Sequence, residues 1–276
     1  MSLPDTARIA ALYSYPVKSA RGTEHAQALI TDAGLDGDRM WMLVTPEGRF
    51  LTQRELPRLA LLAPELSADT LVLRSAGTPE LALARDHVGS ACRVRVWKDD
   101  CAAFDEGEEA AAWLQGLLGR PCRLVRFDPA EPRLSDRAWT GALAAPNRFT
   151  DGFPLLVLSA ASLRDLNARL PAPLPLNRFR PNLLLEGLAA YDEDRIDELH
   201  AGRVRLKVVK PCTRCSITST DQELGTVEGD EPLRTLKAYR YDAALRGVCF
   251  GQNVIVERGV GEMLRLGQEL RVRWRA

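Results

Sequence analysis

The sequence predicts a mainly β fold with some α-helix (α+β), arranged as two β-rich lobes. Most apolar residues fall in short runs that are typical of strands, and helical spacing is confined to a few segments. A stretch rich in proline, arginine and aspartate, residues 128–147, separates the two sets of runs. The length of 276 residues allows one large domain or two modest ones. We therefore predict two domains, residues 1–125 and residues 126–276.

The first lobe begins with strands and ends with a helix. Residues 38–52 contain two β-like runs around Pro46-Glu47-Gly48, which is typical of a hairpin. Residues 106–118 have acidic residues in the first turn and apolar residues at helical spacing, and Gly119 follows, so this segment predicts a helix. The other apolar runs are interpreted as strands at residues 8–17, 59–66, 70–74, 81–84 and 92–97.

The second lobe begins with the apolar run FPLLVL at residues 153–158, which predicts a buried strand. Ser159 is a suitable N-cap for a helix over residues 160–170. Further strands are predicted at residues 182–186, 204–209, 252–257 and 269–274. Because a closed sheet hides the edges of its strands, we expect closed sheets or β-barrels in both lobes.

The charges and the apolar runs exclude several classes of function. Lys+Arg and Asp+Glu both number 37, whereas a general nucleic-acid binder needs a large cationic surplus. The uncharged run at residues 152–163 is far shorter than the ~20 residues that a membrane-spanning helix needs. The first residues show no signal-peptide pattern. We therefore expect a cytoplasmic protein that binds neither nucleic acid nor membrane, with its six cysteines mostly reduced.

The segment richest in reactive groups is KPCTRCSITSTD, residues 210–221, which contains a CxxC pair, Cys212 and Cys215. A structural zinc site needs four ligands, and the other cysteines and the three histidines are scattered. A redox dithiol begins a helix, but the residues after Cys215 are β-branched and poor helix formers. Two interpretations stay open: two buried thiols that pack as small hydrophobes, or one thiolate that binds a soft metal beside Arg214.

Three other segments place cations at the ends of predicted strands. Lys18 and Ser19 end the run YPVKS, the tripeptide GDR ends at Arg39, and RFRPN occupies residues 178–182. A lone lysine or arginine is usually a solvated surface charge. Guanidinium groups also recognise phosphate with two hydrogen bonds, and loops on a rigid β scaffold often form binding sites. The three segments together favour an anion-binding site.

Seven segments occur in the order found in MOSC-domain proteins: YPVKS, DRMW, DGFPLLVLSAASL, RFRPN, KPCTRCSIT, EPLRTLKAYR and FGQNVIV. The chain resembles the branch of this family that carries an N-terminal MOSC β-barrel domain. That branch includes the mitochondrial amidoxime-reducing component and bacterial hydroxylaminopurine-resistance proteins. The resemblance runs from about Ile9 to the last predicted strand. It implies an N-terminal β-barrel-like domain followed by a MOSC β-barrel domain.

The resemblance also implies a molybdenum cofactor between the two domains. Cys215, the second cysteine of the motif, is implied to be the metal ligand and the catalytic residue, and Cys212 a packed thiol that does not ligate. We expect no zinc and no intrinsic iron–sulfur cluster, because the chain has no cysteine-rich cluster motif. The residues implied to hold the pterin and its phosphate are Lys18, Ser19, Arg39, Arg180, Asn182, Thr213 and Arg214, and the loop Asp151, Gly152 and Phe153 is implied to line the cofactor.

The implied activity is the reduction of small N-hydroxylated compounds, such as hydroxylamines, amidoximes or N-hydroxylated bases, to amines or amidines. Since the chain ends straight after its last predicted strand, we expect electrons from a separate ferredoxin-, flavin- or cytochrome-type protein. The alternative is a non-catalytic carrier of the cofactor or of sulfur, with a persulfide on Cys215. One departure from the family is the sequence TSTDQ at residues 218–222, where relatives often have TTVDP. We expect a different loop shape there, and hence a different choice of substrate.

Overall fold

The structure is a computed structural model that describes residues 3–275. Its strands are β1 (Thr6–Ser14), β2 (Thr23–Glu24), β3 (Gln27–Thr31), β4 (Gly34–Leu35), β5 (Trp41–Val44), β6 (Ala63–Leu66), β7 (Thr70–Ser75), β8 (Thr78–Ala84), β9 (Ser90–Val96), β10 (Asp99–Asp105), β11 (Arg123–Phe127), β12 (Arg133–Leu134), β13 (Pro146–Asn147), β14 (Leu155–Ser159), β15 (Leu183–Glu186), β16 (Ile196–Ala201), β17 (Val204–Thr213), β18 (Tyr241–Asp242), β19 (Gly247–Arg258), β20 (Met263–Arg265) and β21 (Glu269–Trp274). The α-helices are α1 (Glu108–Leu118), α2 (Arg137–Thr140), α3 (Ala160–Arg169) and α4 (Leu233–Lys237). Short 3₁₀ helices span Pro57–Leu61, Leu176–Arg178, Asp192–Arg195 and Ser216–Ser219. The predicted mainly β fold with some α-helix is confirmed.

Seven strands close into a barrel in the order β14-β15-β1-β21-β16-β17-β19, and β19 pairs back onto β14. Only the β14–β15 pair of this ring is parallel. Side chains alternate along β17, where Val204, Leu206 and Val208 are buried and the residues between them are less so. The buried cluster inside the barrel consists entirely of Ala, Val, Leu and Ile. The predicted closed sheet is therefore present in the second lobe, with an aliphatic interior.

The first lobe contains a four-stranded sheet, β5-β11-β10-β9, and a three-stranded meander, β6-β7-β8. Helix α1 packs its apolar residues Ala110 and Leu114 into the same core as Trp41. The Trp41 Nε1 group donates a hydrogen bond to Glu106 Oε1 at 2.7 Å, so the one polar group of this buried ring is satisfied. Helix α1 starts two residues later than predicted and ends as predicted before Gly119, which has a φ of 71°.

Strand β1 lies within the first 125 residues but forms part of the barrel, between β15 and β21. The chain leaves β1 at Ser14, crosses to the first lobe and enters β5 at Trp41. Residues 15–40 therefore run beside both lobes. The boundary between residues 125 and 126 stays a prediction.

One local prediction is corrected. Residues 59–66 were interpreted as one strand, but Pro57 at the start of a turn favours a 3₁₀ helix, and only Ala63–Leu66 is extended. Residues 128–147 are tied to the fold by Arg133, which donates to Asn147 Oδ1 and to the carbonyl groups of Arg148 and Thr150. No helix within residues 3–275 is long and apolar enough to cross a membrane.

The barrel interior predicts a large effect of removing a core side chain. Leu206 is fully buried, so Leu206→Ala leaves a cavity and lowers the free energy of unfolding by about 2–5 kcal/mol. Leu266 is 48% exposed and serves as the matched control, for which Leu266→Ala changes stability by less than about 0.5 kcal/mol. Urea unfolding of both variants checks this, and equal losses would contradict the assigned barrel interior.

A buried carboxyl group beside α3 makes stability depend on pH. Glu193 accepts hydrogen bonds from Ser162 Oγ (2.7 Å) and Ser159 N (3.3 Å), and burial raises the pKa of Glu193 to about 7. In the unfolded chain the same group titrates near 4.5. The protonated form therefore favours the folded state, and this contribution is complete below pH 4.5 and lost as the pH rises to about 7.

We predict that Glu193→Gln removes this loss, which amounts to at most about 3 kcal/mol. Urea midpoints of the variant fall less than those of the wild type between pH 5 and pH 7.5. Glu186→Gln is the control, because its carboxylate is exposed and pairs with Arg8 at the surface. Identical pH profiles for wild type and Glu193→Gln would show that Glu193 is not the titrating group.

Candidate functional site

An open cavity of about 150 Å³ lies between the two lobes, where several barrel strands begin or end. It is lined by all the residues that the resemblance implied to hold the metal or the cofactor, namely Lys18, Ser19, Arg39, Asp151, Gly152, Phe153, Arg180, Asn182, Thr213, Arg214 and Cys215. They come from the chain after β1, the loop before β5, the segments before β14 and β15, and the end of β17. The structure thus brings together residues up to 197 positions apart, from Lys18 to Cys215. Their roles toward a cofactor stay predictions.

The cavity has further lining residues that were not implied to hold the cofactor: Thr52, Thr150, Leu155, Leu156, Phe179, Cys212, Ile217, Thr218 and Asn253. Most are apolar or carry only a hydroxyl group, which gives no sequence signal of a site. Cys212 was expected to be packed, but it is only partly buried and lies on the cavity wall. Its sulfur accepts a hydrogen bond from Arg214 Nη1 at 3.1 Å.

Lys18 is buried at the cavity wall and joined to Asp151. Its Nζ donates to Asp151 Oδ1 at 2.6 Å and to the carbonyl group of Phe149 at 2.7 Å. Burial lowers the pKa of Lys18, and the Asp151 carboxylate opposes that shift. Partial burial raises the pKa of Asp151, but the charge of Lys18 and hydrogen bonds from Lys18 and Trp97 outweigh it and hold this pKa well below its usual range. Asp151 is therefore ionised at neutral pH.

The ring of Tyr15 is stacked between two cavity arginines. The guanidinium carbons of Arg39 and Arg180 each lie 4.2 Å from the ring centroid. The hydroxyl group of Tyr15 donates to the carbonyl group of Pro181 at 3.0 Å, which anchors the ring. Cation–π attraction to a buried ring fixes the direction of both guanidinium groups. Burial lowers the pKa of Arg180 to about 10, so the group keeps its charge at neutral pH.

Three of the lining residues have a left-handed backbone, with φ values of 67° for Ser19, 46° for Arg39 and 54° for Arg180. Trp97, which bonds to Asp151, has a φ of 56°. Side chains other than glycine rarely adopt this region, and each instance costs on the order of 1–3 kcal/mol. Such strain concentrates at functional sites. The strained backbone of these residues therefore points to the same cavity as the functional site that their side chains indicate.

The cavity cations differ in how their charge is balanced. Arg39 pairs with the buried carboxylate of Asp38 at 2.6 Å, and Lys18 pairs with Asp151. Arg180 donates to the carbonyl group of Ala20, and Arg214 donates to that of Phe179. Within the described part of the chain, neither of these two arginines forms an ion pair with a carboxylate. One side of the cavity therefore carries uncompensated positive charge, which favours an anion.

Cys215 is exposed at the cavity and faces an arginine from the other lobe. Arg54 Nη1 lies 3.5 Å from Cys215 Sγ, and the guanidinium carbon of Arg54 lies 4.7 Å from the Trp97 ring centroid. Trp97 Nε1 in turn donates to Asp151 Oδ1 at 3.1 Å. Arg54 and Trp97 were not indicated by the sequence. Arg54 and Cys215 are 161 positions apart, and a contact between such distant residues leaves no local pattern.

The cavity wall also holds buried polar atoms without hydrogen-bond partners, namely Thr150 Oγ1 and Arg214 Nε. Buried polar groups are normally paired, so these two atoms are left to find partners that the chain itself does not supply. Across residues 3–275, no group of three or more His, Cys, Asp or Glu side chains could hold a metal ion by itself. All six cysteines are free thiols.

Comparison with known proteins reveals two matching families and a set of similar chains. The model of the "MOSC N-terminal beta barrel domain" matches residues 6–121, and that of the "MOSC domain" matches residues 144–271. Mitochondrial amidoxime-reducing component 1 of Mus musculus is 37% identical over 270 residues, which cover 92% of this chain and 79% of that protein. The Homo sapiens protein of the same name is 37% identical over 92% of this chain and 80% of that protein. Mitochondrial amidoxime reducing component 2 of Bos taurus is 34% identical over 86% and 74%. Every cavity-lining residue falls within one of the two matched ranges.

The stacked Tyr15 ring leaves no room for a side chain at residue 22, which explains the glycine there. A Cβ atom on Gly22 would lie 2.4 Å from Tyr15 Cε1, so Gly22→Ala pushes the ring out of the arginine stack. We expect the free energy of unfolding to fall by about 1–3 kcal/mol, as in other overpacked cores. Gly116→Ala in α1 is the matched control, since its Cβ meets nothing within 4 Å. It raises stability by up to about 1 kcal/mol through helix propensity. Urea unfolding checks both, and a neutral Gly22→Ala would contradict the tight stack.

Proposed function

Since the chain belongs to the family of MOSC-domain proteins that carry an N-terminal MOSC β-barrel domain, we propose that it is a molybdenum-cofactor-dependent oxidoreductase that reduces N-hydroxylated compounds. One observation supports this most strongly. Arg180 and Arg214 present uncompensated positive charge in the same cavity as the exposed thiol of Cys215. A ligand that is anionic at one end and carries a soft metal at the other fits this arrangement.

The donor set can be compared with the chemistry of that cofactor. Its phosphate requires cations and hydrogen-bond donors, and the guanidinium groups of Arg180 and Arg214 at the cavity wall supply both. Thr150 Oγ1 is a further buried hydroxyl without a partner. A thiolate is a preferred protein ligand for a polarizable metal. The residues present therefore fit the group.

In the proposed holoenzyme, Cys215 ligates the metal, and cations and hydroxyls hold the rest of the cofactor. The residues proposed to bind the pterin and its phosphate are Lys18, Ser19, Arg39, Arg180, Asn182, Thr213 and Arg214, with Asp151, Gly152 and Phe153 lining the same group. When bound, the cofactor supplies the two electrons that cleave the N–O bond of R–NH–OH, and two protons complete R–NH₂ and water.

The chain's own groups orient the substrate and its surroundings. Asp151 is ionised, so it can accept a hydrogen bond from a substrate N–H group and is not a proton donor at neutral pH. Arg54 is held over Trp97 beside Cys215 and can donate to the oxygen of an N-hydroxyl group. We propose that this cation and this carboxylate align the N–O bond in the cavity.

The electron donor is proposed to be a separate ferredoxin-, flavin- or cytochrome-type protein. The relatives are named mitochondrial, so the cytoplasmic location expected from the sequence stays a prediction.

The proposal predicts the metal content and activity of two cysteine variants. Wild-type protein from a host that makes the cofactor contains close to one molybdenum per chain and reduces benzamidoxime with an artificial electron donor. Cys215→Ala lowers turnover by about 100-fold or more, because the metal loses its protein ligand. Cys92→Ala in β9 is the matched control, and it retains most of the activity because Cys92 is a free thiol outside the cavity lining and is not the proposed ligand.

Metal analysis and the turnover assay together separate the candidate functions. Bound cofactor without turnover would favour a carrier of cofactor or sulfur. Stoichiometric zinc without molybdenum would contradict both the reductase and the carrier.

A further inference from the structure

The loop after Cys215 contributes cavity wall from outside the barrel. The 3₁₀ helix Ser216–Ser219 carries Ile217 and Thr218, which line the cavity. A tight turn follows, in which Asp221 N donates to the carbonyl group of Thr226 at 2.7 Å. The barrel strand β17 ends before this loop, so the position of the loop depends on contacts with other parts of the chain.

A buried pair of amide side chains supplies such a contact across the two lobes. Gln53 Nε2 donates to Gln222 Oε1 at 3.0 Å, and Gln222 Nε2 donates back to Gln53 Oε1 at 2.9 Å. Gln53 is fully buried and Gln222 is 4% exposed. The two residues are 169 positions apart, so this reciprocal pair joins the first lobe to the loop after Cys215.

The amide pair also reaches the backbone on both sides. Gln53 Nε2 donates to the carbonyl group of Ser19 at 2.7 Å, and Gln222 Nε2 donates to that of Thr220 at 3.2 Å. Ser19 lines the cavity and has the strained φ of 67°. The pair thus links the backbone of a cavity residue from the first lobe directly to the turn that ends the loop after Cys215.

A nearby ion pair cannot replace this contact. Arg21 Nη2 lies 2.8 Å from Glu223 Oε2, but both side chains are largely solvent-exposed, at 40% and 64%. Exposed ion pairs contribute little to stability, whereas a buried amide that loses its partner keeps the full cost of desolvation. The buried pair is therefore the stronger contact of these two.

We propose that Gln53 and Gln222 are positioning residues for Cys215, because they fix the loop after Cys215 against the segment that carries Lys18 and Ser19. Neither side chain belongs to the cavity wall, so both act through the residues that they hold. The TSTDQ sequence that departs from the family pattern ends in Gln222, and the structure shows what this residue contacts. Fixing the loop is a property of the folded chain, and its effect on turnover rests on the proposed function.

Hydrogen exchange followed by mass spectrometry tests the proposal in the full chain. In Gln222→Ala and in Gln53→Ala, the protected amides of residues 218–225 exchange about tenfold faster, which corresponds to a loss of about 1.4 kcal/mol. The effect in the double variant is clearly smaller than the product of the two single effects, because each substitution already breaks the shared pair. Peptides from β17 and β19 keep their wild-type rates, which shows that the variants are folded.

Two further variants sharpen the result. Glu223→Ala, at the neighbouring position, is the matched control and changes loop exchange less than twofold, because its ion pair is exposed. Gln222→Leu keeps most of the bulk of the side chain but neither hydrogen bond to Gln53, so its exchange rate stays close to that of Gln222→Ala. Unchanged loop exchange in both single variants, or effects that multiply in the double variant, would overturn the proposal.

The same samples separate this inference from the proposed reaction. If the proposed function holds, Gln222→Ala lowers kcat/KM for benzamidoxime several-fold while molybdenum content stays at the wild-type level. If the wild-type protein contains no molybdenum and shows no turnover while the variants show the expected exchange rates, the proposed reaction is rejected. The positioning role of Gln53 and Gln222 is then still supported.

Discussion

The cavity depends on one buried carboxylate, that of Asp38. Its side chain is fully buried and accepts hydrogen bonds from Tyr15 N at 2.7 Å, from Arg39 Nη1 and from Asn182 Nδ2 at 3.2 Å. A buried charge is tolerated only when it is paired and hydrogen-bonded. These donors come from the end of β1, the loop before β5 and the segment before β15, so one anion holds three segments together. The orientation of the Tyr15 ring, and of the two guanidinium groups stacked on it, follows from that arrangement.

The balance of charge is local rather than global. The chain has 37 cationic and 37 acidic residues, yet the cavity wall near Cys215 has cations without carboxylate partners. Arg180 is paired with a backbone carbonyl, Arg214 with a carbonyl and a sulfur, and Arg54 with a ring and a sulfur. Asp38 and Lys18, by contrast, have oppositely charged partners. A net charge of zero therefore excludes a broad surface that binds polyanions, but it does not indicate whether a small anion-binding site is present. The fold alone determines which charged residues lie together.

The sequence predicted most barrel strands because alternation and apolar runs are local properties. Strand β21 begins and ends at the predicted residues, and β14 and β15 lie within one or two residues of their predicted bounds. The cavity residues were predicted from the resemblance to the family, because seven ordered segments identify them. The residues lie far apart in the sequence, so no local pattern shows that they meet. The contacts of Arg54, Trp97, Gln53 and Gln222 could not be predicted, because each joins lobes through side chains far apart in the sequence. The 3₁₀ helix at Pro57–Leu61 was missed because its apolar residues also fit a strand.

The choice of a neutral amide pair between the lobes follows from the charge of the cavity beside it. Strained residues such as Ser19 and Arg180 keep their left-handed backbone only where their surroundings over-determine it. The closed barrel holds β1 and β15 in place. The loop after Cys215 leaves the barrel, and within its own lobe Arg178 holds it through Ser219 and Asp221, so the amide pair is its buried anchor to the other lobe. A buried ion pair in the place of Gln53 and Gln222 would carry a large desolvation cost. It would also set charged groups next to Ser19, which lines the cavity. Two amides satisfy each other reciprocally and add no charge there, so the loop is held without disturbing the charges that select the ligand.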